Sequence, residues 1–405
     1  MPSYGGLARN ERNILVSGGT PVVVPADFVG MHANGLVWDS TIADFLSTSL
    51  HPYPPSGPSP TPSIGYGAFR LHEITARWDW IETSAGVYNW SYLDQAITRE
   101  KALGHTVSFC PHDTPLFYLS AGNPLRSTSH PSAAYPDNTS PNGLTGWSNF
   151  ITAVFTRYNT PDGGWSGYAT YGRGIDELEY WNEPGFVNPG PYYQNNVNTF
   201  VDLCKAASDA VLAVDPTVKR LSAGFVSTAS LNSFLPAVGT LNPGVTGKSL
   251  CDVICIHYYG IAPPCQTLGV WGTGITADIL SAFKQVRNSM TSNGIGNLPL
   301  MCSETGLDGS YPTAETTIFA SMTTQQRYQW LGRLMLIAAC LGYQRWMVYG
   351  WDLPFLNYPM NDLSGTAAAI NDVHVNVAGK TVKSAYYDVG GVVTLQFTDG
   401  STFAI

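Results

Sequence analysis

Between residues 27 and 351 the chain repeats one rhythm: a short apolar run, a polar loop, then a stretch with helical patterning. Strands spaced by helices in this way pair in parallel, because each helix carries the chain back to the edge where the next strand begins. The strand segments are 27–33 (DFVGMHA), about 68–77, 105–111 (HTVSFCP), 177–182 (ELEYWN), 220–225, 253–258 (VICIHY), 298–304 (LPLMCSE) and 345–351 (RWMVYGW). Helices are expected at 90–103 after Asn89, a good N-cap, and at 147–158. Further helices are expected at 197–214, stopped before Asp215-Pro216, at 277–292 before Gly294, and at 324–341 ended by Gly342. Eight such strands predict an α/β chain closed into a (β/α)8 barrel rather than an open doubly wound sheet. No GxGxxG follows an early strand, which argues against a dinucleotide fold.

The flanks read differently. Ile14-Leu-Val-Ser-Gly-Gly-Thr-Pro-Val-Val-Val24 has the pattern of an N-terminal β-hairpin turning at Ser-Gly-Gly, placed to plug the bottom of the barrel. At the other end, 391–398, Asp399-Gly400 and 401–405 read as a hairpin with an Asp-Gly turn, and 386–389 supplies a further strand. The expected organisation is a catalytic barrel over 1–375, hairpin included, and a small β appendage over 376–405 packed on it. Two insertions interrupt the rhythm: the Pro/Ser-rich 50–66 and the Pro/Asn-rich 114–145. Both follow strands and so belong on the C-terminal face, where barrel active sites are built. They either wall a cleft or decorate the surface.

Charge and composition narrow the partners. The net charge is −9 with no Lys/Arg cluster, so nucleic acid is not an expected partner. No stretch is long and apolar enough to span a membrane, and the first residues do not have the pattern of a signal peptide. Charged residues are only 12% of the chain, and Ser, Thr, Asn, Gly and Tyr supply the polarity instead. That suits an extracellular, cell-surface or virion-associated protein. Eleven Trp and 22 Tyr would suit stacking on the apolar C–H faces of sugars, besides packing the core. Of seven cysteines, Cys110, Cys255 and Cys302 fall in strands and Cys204 and Cys340 in helices, as buried thiols. Cys251 and Cys265 flank a strand and could pair, although mostly free thiols are the expectation.

The chemistry concentrates at two strand ends. In Glu179-Tyr180-Trp181-Asn182-Glu183-Pro184 a strand terminates at Asn-Glu, and the proline prevents further ladder pairing. In Leu300-Met301-Cys302-Ser303-Glu304-Thr305-Gly306 another strand ends in a glutamate before a glycine exit. Counting strands puts Glu183 at the tip of the fourth and Glu304 at the tip of the seventh, across the barrel mouth. Two facing carboxylates are what glycosidic cleavage needs: one to protonate the leaving oxygen, one to attack the anomeric carbon or activate water. A separation of roughly 5 Å is expected for a retaining pair. No cofactor or metal is required, and no His/Asp/Cys cluster has metal-ligand spacing in the sequence.

These motifs resemble clan A of the glycoside hydrolases. The Trp-Asn-Glu-Pro tetrad and a second strand-terminal Glu about 120 residues later carry the likeness. So does Arg77-Trp-Asp-Trp-Ile-Glu82, followed by Gly86-Val-Tyr-Asn-Trp90 and Leu93-Asp94, most like glycoside hydrolase family 39, with family 5 also similar. The resemblance covers about residues 25–355. It implies a retaining mechanism with Glu183 as acid/base and Glu304 as nucleophile. It implies that Arg77 at the end of strand two bonds the nucleophile and keeps it ionised. His257-Tyr258-Tyr259 resembles the clan's His-x-Tyr arrangement, with Tyr259 as donor to Glu304 and Tyr258 as the competing choice. Trp351 would floor the sugar site. His112, His32, Asn182 and Trp181 complete the candidate substrate-binding and supporting set.

The reading is therefore a retaining glycosidase with a carbohydrate substrate, expected as a monomer and endo-acting on a β-linked polysaccharide. The alternatives are an exo-acting, β-xylosidase-like enzyme with a closed pocket, a virion-associated or cell-surface depolymerase, and a barrel that binds glycans without cleaving them. Retention of both glutamates argues against the last.

Overall fold

A computed structural model describes residues 12–14, 21–32, 65–72, 76–119, 143–186, 196–259, 279–306, 323–349, 365–387 and 392–405. Its centre is an eight-stranded parallel sheet. In chain order the strands are Val29–His32, Ala68–Leu71, Thr106–Phe109, Glu177–Glu179, Lys219–Leu221, Ile254–Tyr258, Leu300–Thr305 and Tyr343–Tyr349, here strands one to eight. Neighbours in sequence are neighbours in space, and strand eight returns to strand one through the register Trp346↔Val29 to Tyr349↔His32. Strands five and six meet through the bridges Leu221↔Val253 and Phe225↔Ile256, which close the (β/α)8 barrel.

The helices follow their local signals. Val197–Val214 and Thr324–Leu341 start and stop where the sequence predicts. Asn196 caps the first through the backbone N–H of Asn198. Thr323 and Gln326 form a reciprocal capping box on the second, which ends at left-handed Gly342. The helix Gly143–Asn159 begins earlier than its apolar periodicity suggests, because Gly143 through Gly146 continue the helical turn beside Tyr118. A further helix, Thr366–Val377, follows strand eight and completes the outer ring.

Inside the barrel the side chains form layers. Ala68, Leu221, Val253, Cys255, Met301 and Met347 make an apolar cluster separate from the core beneath the helices. Gly30 belongs to this packing, since a Cβ there would overlap the sulfur of Met347. Below the cluster, Arg345 pairs with Glu177 and Asp27, Ser108 donates to Glu177 at 2.6 Å, and Thr106 donates to Asp27 at 2.8 Å. Above it lies a second ionic layer, centred on Arg70. Buried charges such as Arg345, Glu177 and Arg70 persist only when paired and hydrogen-bonded.

The flanking sheet departs from the expected hairpin-plus-appendage. Arg12–Ile14 and Val22–Val23 do not pair with each other. Both pair antiparallel with Thr381–Tyr387, Arg12 opposite Tyr387 and Val23 opposite Thr381. Successive positions run along one edge of that strand, so the two segments act as an interrupted edge strand. Val393–Phe397 and Thr402–Ala404 extend the other side, with a turn at Asp399-Gly400. The sheet thus draws on both flanks of the chain. It packs on Thr324–Leu341, where Gly332 leaves room for Ile405 and Arg333 donates to the Ile405 carbonyl at 3.2 Å.

Six cysteines, Cys110, Cys204, Cys251, Cys255, Cys302 and Cys340, are buried free thiols. Cys265 lies outside the described residues. So do most of 50–66 and 114–145. Among the described residues no helix is long and apolar enough to cross a membrane.

Candidate active site

The tips of strands one, two, three, four, six and seven converge on one buried constellation. Glu304 is the fifth residue of strand seven and 4% exposed. Glu183 lies four residues beyond the last ladder residue of strand four, after the bridge Asn182↔Gly224. Its backbone is left-handed at φ 44°, a region a branched-free side chain still enters at a cost of about 1–3 kcal/mol. The sharp turn, with Pro184 behind it, directs the carboxylate back over the barrel mouth.

Glu183, His257 and Glu304 each bring a donor atom within 4.8 Å of the others. One oxygen of each carboxylate therefore lies within 4.8 Å of one oxygen of the other. Two full charges within 4.8 Å of each other repel by at least roughly 3 kcal/mol at an effective dielectric of about 20. One proton shared between them relieves that repulsion. The trio also has the donor set of a metal site, assembled from three strands and so invisible to linear spacing. Arg70 and Tyr259 already occupy Glu304, so the arrangement is equally that of a proton-managing pair.

Arg70, fully buried, organises the layer. Its Nε and Nη2 form a two-pronged pair with Glu179 at 2.7 and 3.0 Å. Nη1 donates to Glu304 Oε2 at 2.8 Å and lies 3.3 Å from His32 Nδ1. Nη2 also donates to Asn182 Oδ1 at 2.8 Å. The Tyr259 hydroxyl donates to Glu304 Oε1. Burial pushes the Glu304 carboxyl above its usual range, against the opposing pull of the Arg70 charge and the Tyr259 hydroxyl. His257 Nδ1 sits 2.7 Å from Glu183 Oε1 and 3.7 Å from Glu304 Oε2. Burial lowers this imidazole to about 4, so it is neutral near pH 7.

Three further histidines line strands one to three. His32 lies 3.9 Å from Glu304 Oε2 and packs against Tyr349 at 4.8 Å between ring centroids. His72 meets His32 edge-on at 5.2 Å and stacks on His112 at 4.2 Å. His112 lies 3.1 Å from Asp113, whose backbone is also left-handed at φ 62°.

Several expectations change. Arg77 does not reach Glu304. Strand two ends at Leu71, and Arg77 instead stands at the start of the short helix Trp78–Ile81. There it pairs with Asp79 and Asp113 and lies over the Trp80 ring at 4.6 Å. The guanidinium beside the nucleophile candidate is Arg70, one strand face earlier. Trp181 points outward into the helix-facing core against Trp147, with 5.6 Å between centroids. Tyr258 likewise packs against Trp346 at 5.8 Å, leaving Tyr259 as the donor to Glu304. His257 touches Glu183, and Asn182 has its carbonyl oxygen committed to Arg70. Trp351 lies outside the described residues. Arg70, Glu179 and His72 were missed. Their signal is a charged or polar residue at an inward position of a strand, which needs a partner inside the barrel.

No family model matches the sequence, and no curated protein matches it. Solved structures do share the fold. A family 39 glycoside hydrolase from Bacteroides cellulosilyticus WH2 superposes with a TM-score of 0.60 at 16% identity, over 94% of this chain and 69% of that one. A glucosidase from Croceicoccus marinus gives 0.54 at 13% identity, over 96% and 75%. A GH30 endoxylanase from Clostridium papyrosolvens C71 gives 0.53 at 13%, over 93% and 83%. At such identities the likeness is one of fold.

Proposed function

We propose that this protein is a retaining glycoside hydrolase acting by double displacement, with Glu304 as nucleophile and Glu183 as acid/base. The observation that carries the reading is the approach of the two carboxylates within 4.8 Å at the tips of strands four and seven. Glu304, beside Arg70 and Tyr259, attacks the anomeric carbon. The bond to the leaving oxygen breaks as Glu183 protonates that oxygen. Glu183, now a carboxylate, takes a proton from water, which attacks the same carbon and releases Glu304. Two inversions leave the configuration retained. The glycosidase identities of the fold neighbours support the assignment.

The substrate of this proposal is a β-linked polysaccharide cut internally, outside the cytoplasm. Trp80 and Phe117, 41% and 43% exposed beyond strands two and three, supply aromatic surface suited to an extended glycan. The decisive experiment has two parts. Glu304→Ala is expected to lose turnover, and azide to restore it with a product of inverted anomeric configuration, read by NMR. Persisting activity without azide would remove Glu304 from its role. Product analysis over a polysaccharide panel is expected to give a ladder of oligosaccharides, whereas monosaccharide alone would favour the exo-acting, β-xylosidase-like reading.

A further inference from the structure

Glu183 must hold a proton where the leaving oxygen can take it, and His257 lies against one of its two oxygens. Which nitrogen of His257 carries the ring proton therefore matters. If Nδ1 carries it, Nδ1–H donates to Glu183 Oε1 at 2.7 Å, and the acid's own proton sits on Oε2. If Nε2 carries it, Nδ1 can only accept. Glu183 would then place its proton on Oε1, held by the imidazole and withheld from substrate.

The surroundings of Nε2 decide between the two. This nitrogen is buried and has no hydrogen-bond partner among the described residues. It lies directly against Gly224, at the tip of strand five. A Cβ at 224 would fall inside the contact shell of Nε2 and 2.9 Å from Cε1. The ring is held in this slot from both sides. The His257 backbone N–H donates to the Phe225 carbonyl at 3.0 Å, the pairing with strand seven shifts register between Ile256 and His257, and Nδ1 of the ring meets Glu183. Asn182, next to Glu183, bridges to Gly224 itself. An N–H pressed against a Cα with no acceptor is the costlier arrangement, and beside an ionised Glu183 a bare Nδ1 would set lone pair against lone pair.

Building on the glycosidase reading above, we propose that Gly224 is a positioning residue: its missing side chain lets His257 lie against strand five, which fixes the Nδ1–H tautomer and keeps the proton of Glu183 on Oε2. The charged and titratable groups facing this pair are Glu304 from strand seven, Arg70 from strand two, Glu179 from strand four and Tyr259 beyond strand six, with His32 and His72 behind. None of them approaches Nε2 closely enough to hydrogen-bond it.

The test separates tautomer from turnover. In protein labelled with 15N-histidine, the His257 resonances, assigned by their loss in His257→Asn, are expected to show a protonated Nδ1 and a bare Nε2 near pH 7. A protonated Nε2 overturns the proposal whether or not any glycoside is cleaved. In kinetics, Gly224→Ala is expected to lower kcat/KM roughly 10²-fold on substrates with poor leaving groups, the contribution of a general acid, and far less on activated aryl glycosides. Adding His257→Asn, which is shorter yet keeps an N–H near the Nδ1 position, is expected to restore at least tenfold. Equal loss on both substrate types, or no recovery in the double variant, overturns it. Should Gly224→Ala fail to fold, His257→Phe on the intact strand is expected to raise the alkaline limb of kcat/KM, since it removes a donor that favours ionised Glu183. An unmoved limb overturns the proposal. Wild-type protein that cleaves no glycoside would instead remove the glycosidase reading and leave the tautomer measurement standing.

Discussion

Replacing Arg70 with Met isolates what the upper ionic layer does. The guanidinium is fully buried, pairs twice with Glu179 and donates to Glu304 at 2.8 Å. Its loss leaves Glu179, itself fully buried, as an uncompensated charge, a change that costs about 3–5 kcal/mol. Unfolding entropy of roughly 2.1 cal/mol/K per residue comes to about 0.85 kcal/mol/K over 405 residues. The melting temperature should therefore fall by about 4–6 °C. A second effect concerns Glu304, the proposed nucleophile, alone. An adjacent opposite charge lowers a carboxyl by about 1–3 pK units, so removing it should raise the acid limb of kcat/KM by that amount. Burial already raises Glu304, and the variant adds to this. Arg345→Met is the matched control. Arg345 is equally buried and pairs with Glu177 and Asp27 in the lower layer, away from Glu183 and Glu304. It should lose similar stability and leave the pH profile alone. The assay is a pH series of kcat/KM on an aryl glycoside beside thermal unfolding of both variants. If both melt early and neither moves the acid limb, Arg70 is a structural ion partner and the electrostatic argument fails.

Glu183→Gln should spare activated aryl glycosides and lose about 10²–10⁴-fold on poor leaving groups, checked by a leaving-group series. Fold stability should fall as pH drops from about 6.5 toward 4, measured by denaturant titration. Burial depresses His257 to about 4 and His72 well below its usual value, so the unfolded chain binds protons there that the folded chain refuses. His257 contributes roughly 3 kcal/mol to that slope, and His257→Phe should flatten it. Gly30→Ala should destabilise by roughly 1–3 kcal/mol through the clash with Met347, and Gly30→Ala with Met347→Ala should recover part of it, read from unfolding midpoints.

Much of this molecule follows from local sequence. The alternation of apolar strands and helices is enough to require a parallel sheet with helices outside, and caps such as Thr323 with Gln326, or Gly342, mark boundaries because their bonds lie within a few residues. Glu183 and Glu304 stand out in the sequence for the same reason, each following an apolar strand run, although the ladder of strand four stops at Glu179, four residues before Glu183. What tertiary structure alone decided is which charge meets which. Arg77 and Arg70 are both arginines near strand two, and only the strand's end at Leu71 shows that Arg70 turns into the barrel while Arg77 turns to Asp79 and Asp113. The edge strand made by residues 12–14 and 22–23 depends on a partner more than 350 positions away. The pressure of Gly224 on His257 joins two strands that share no sequence signal. Short-range physics sets the elements and the direction of their ends. The pairing of buried charges, and the side on which a histidine holds its proton, are set by neighbours that the chain brings together only on closing the barrel.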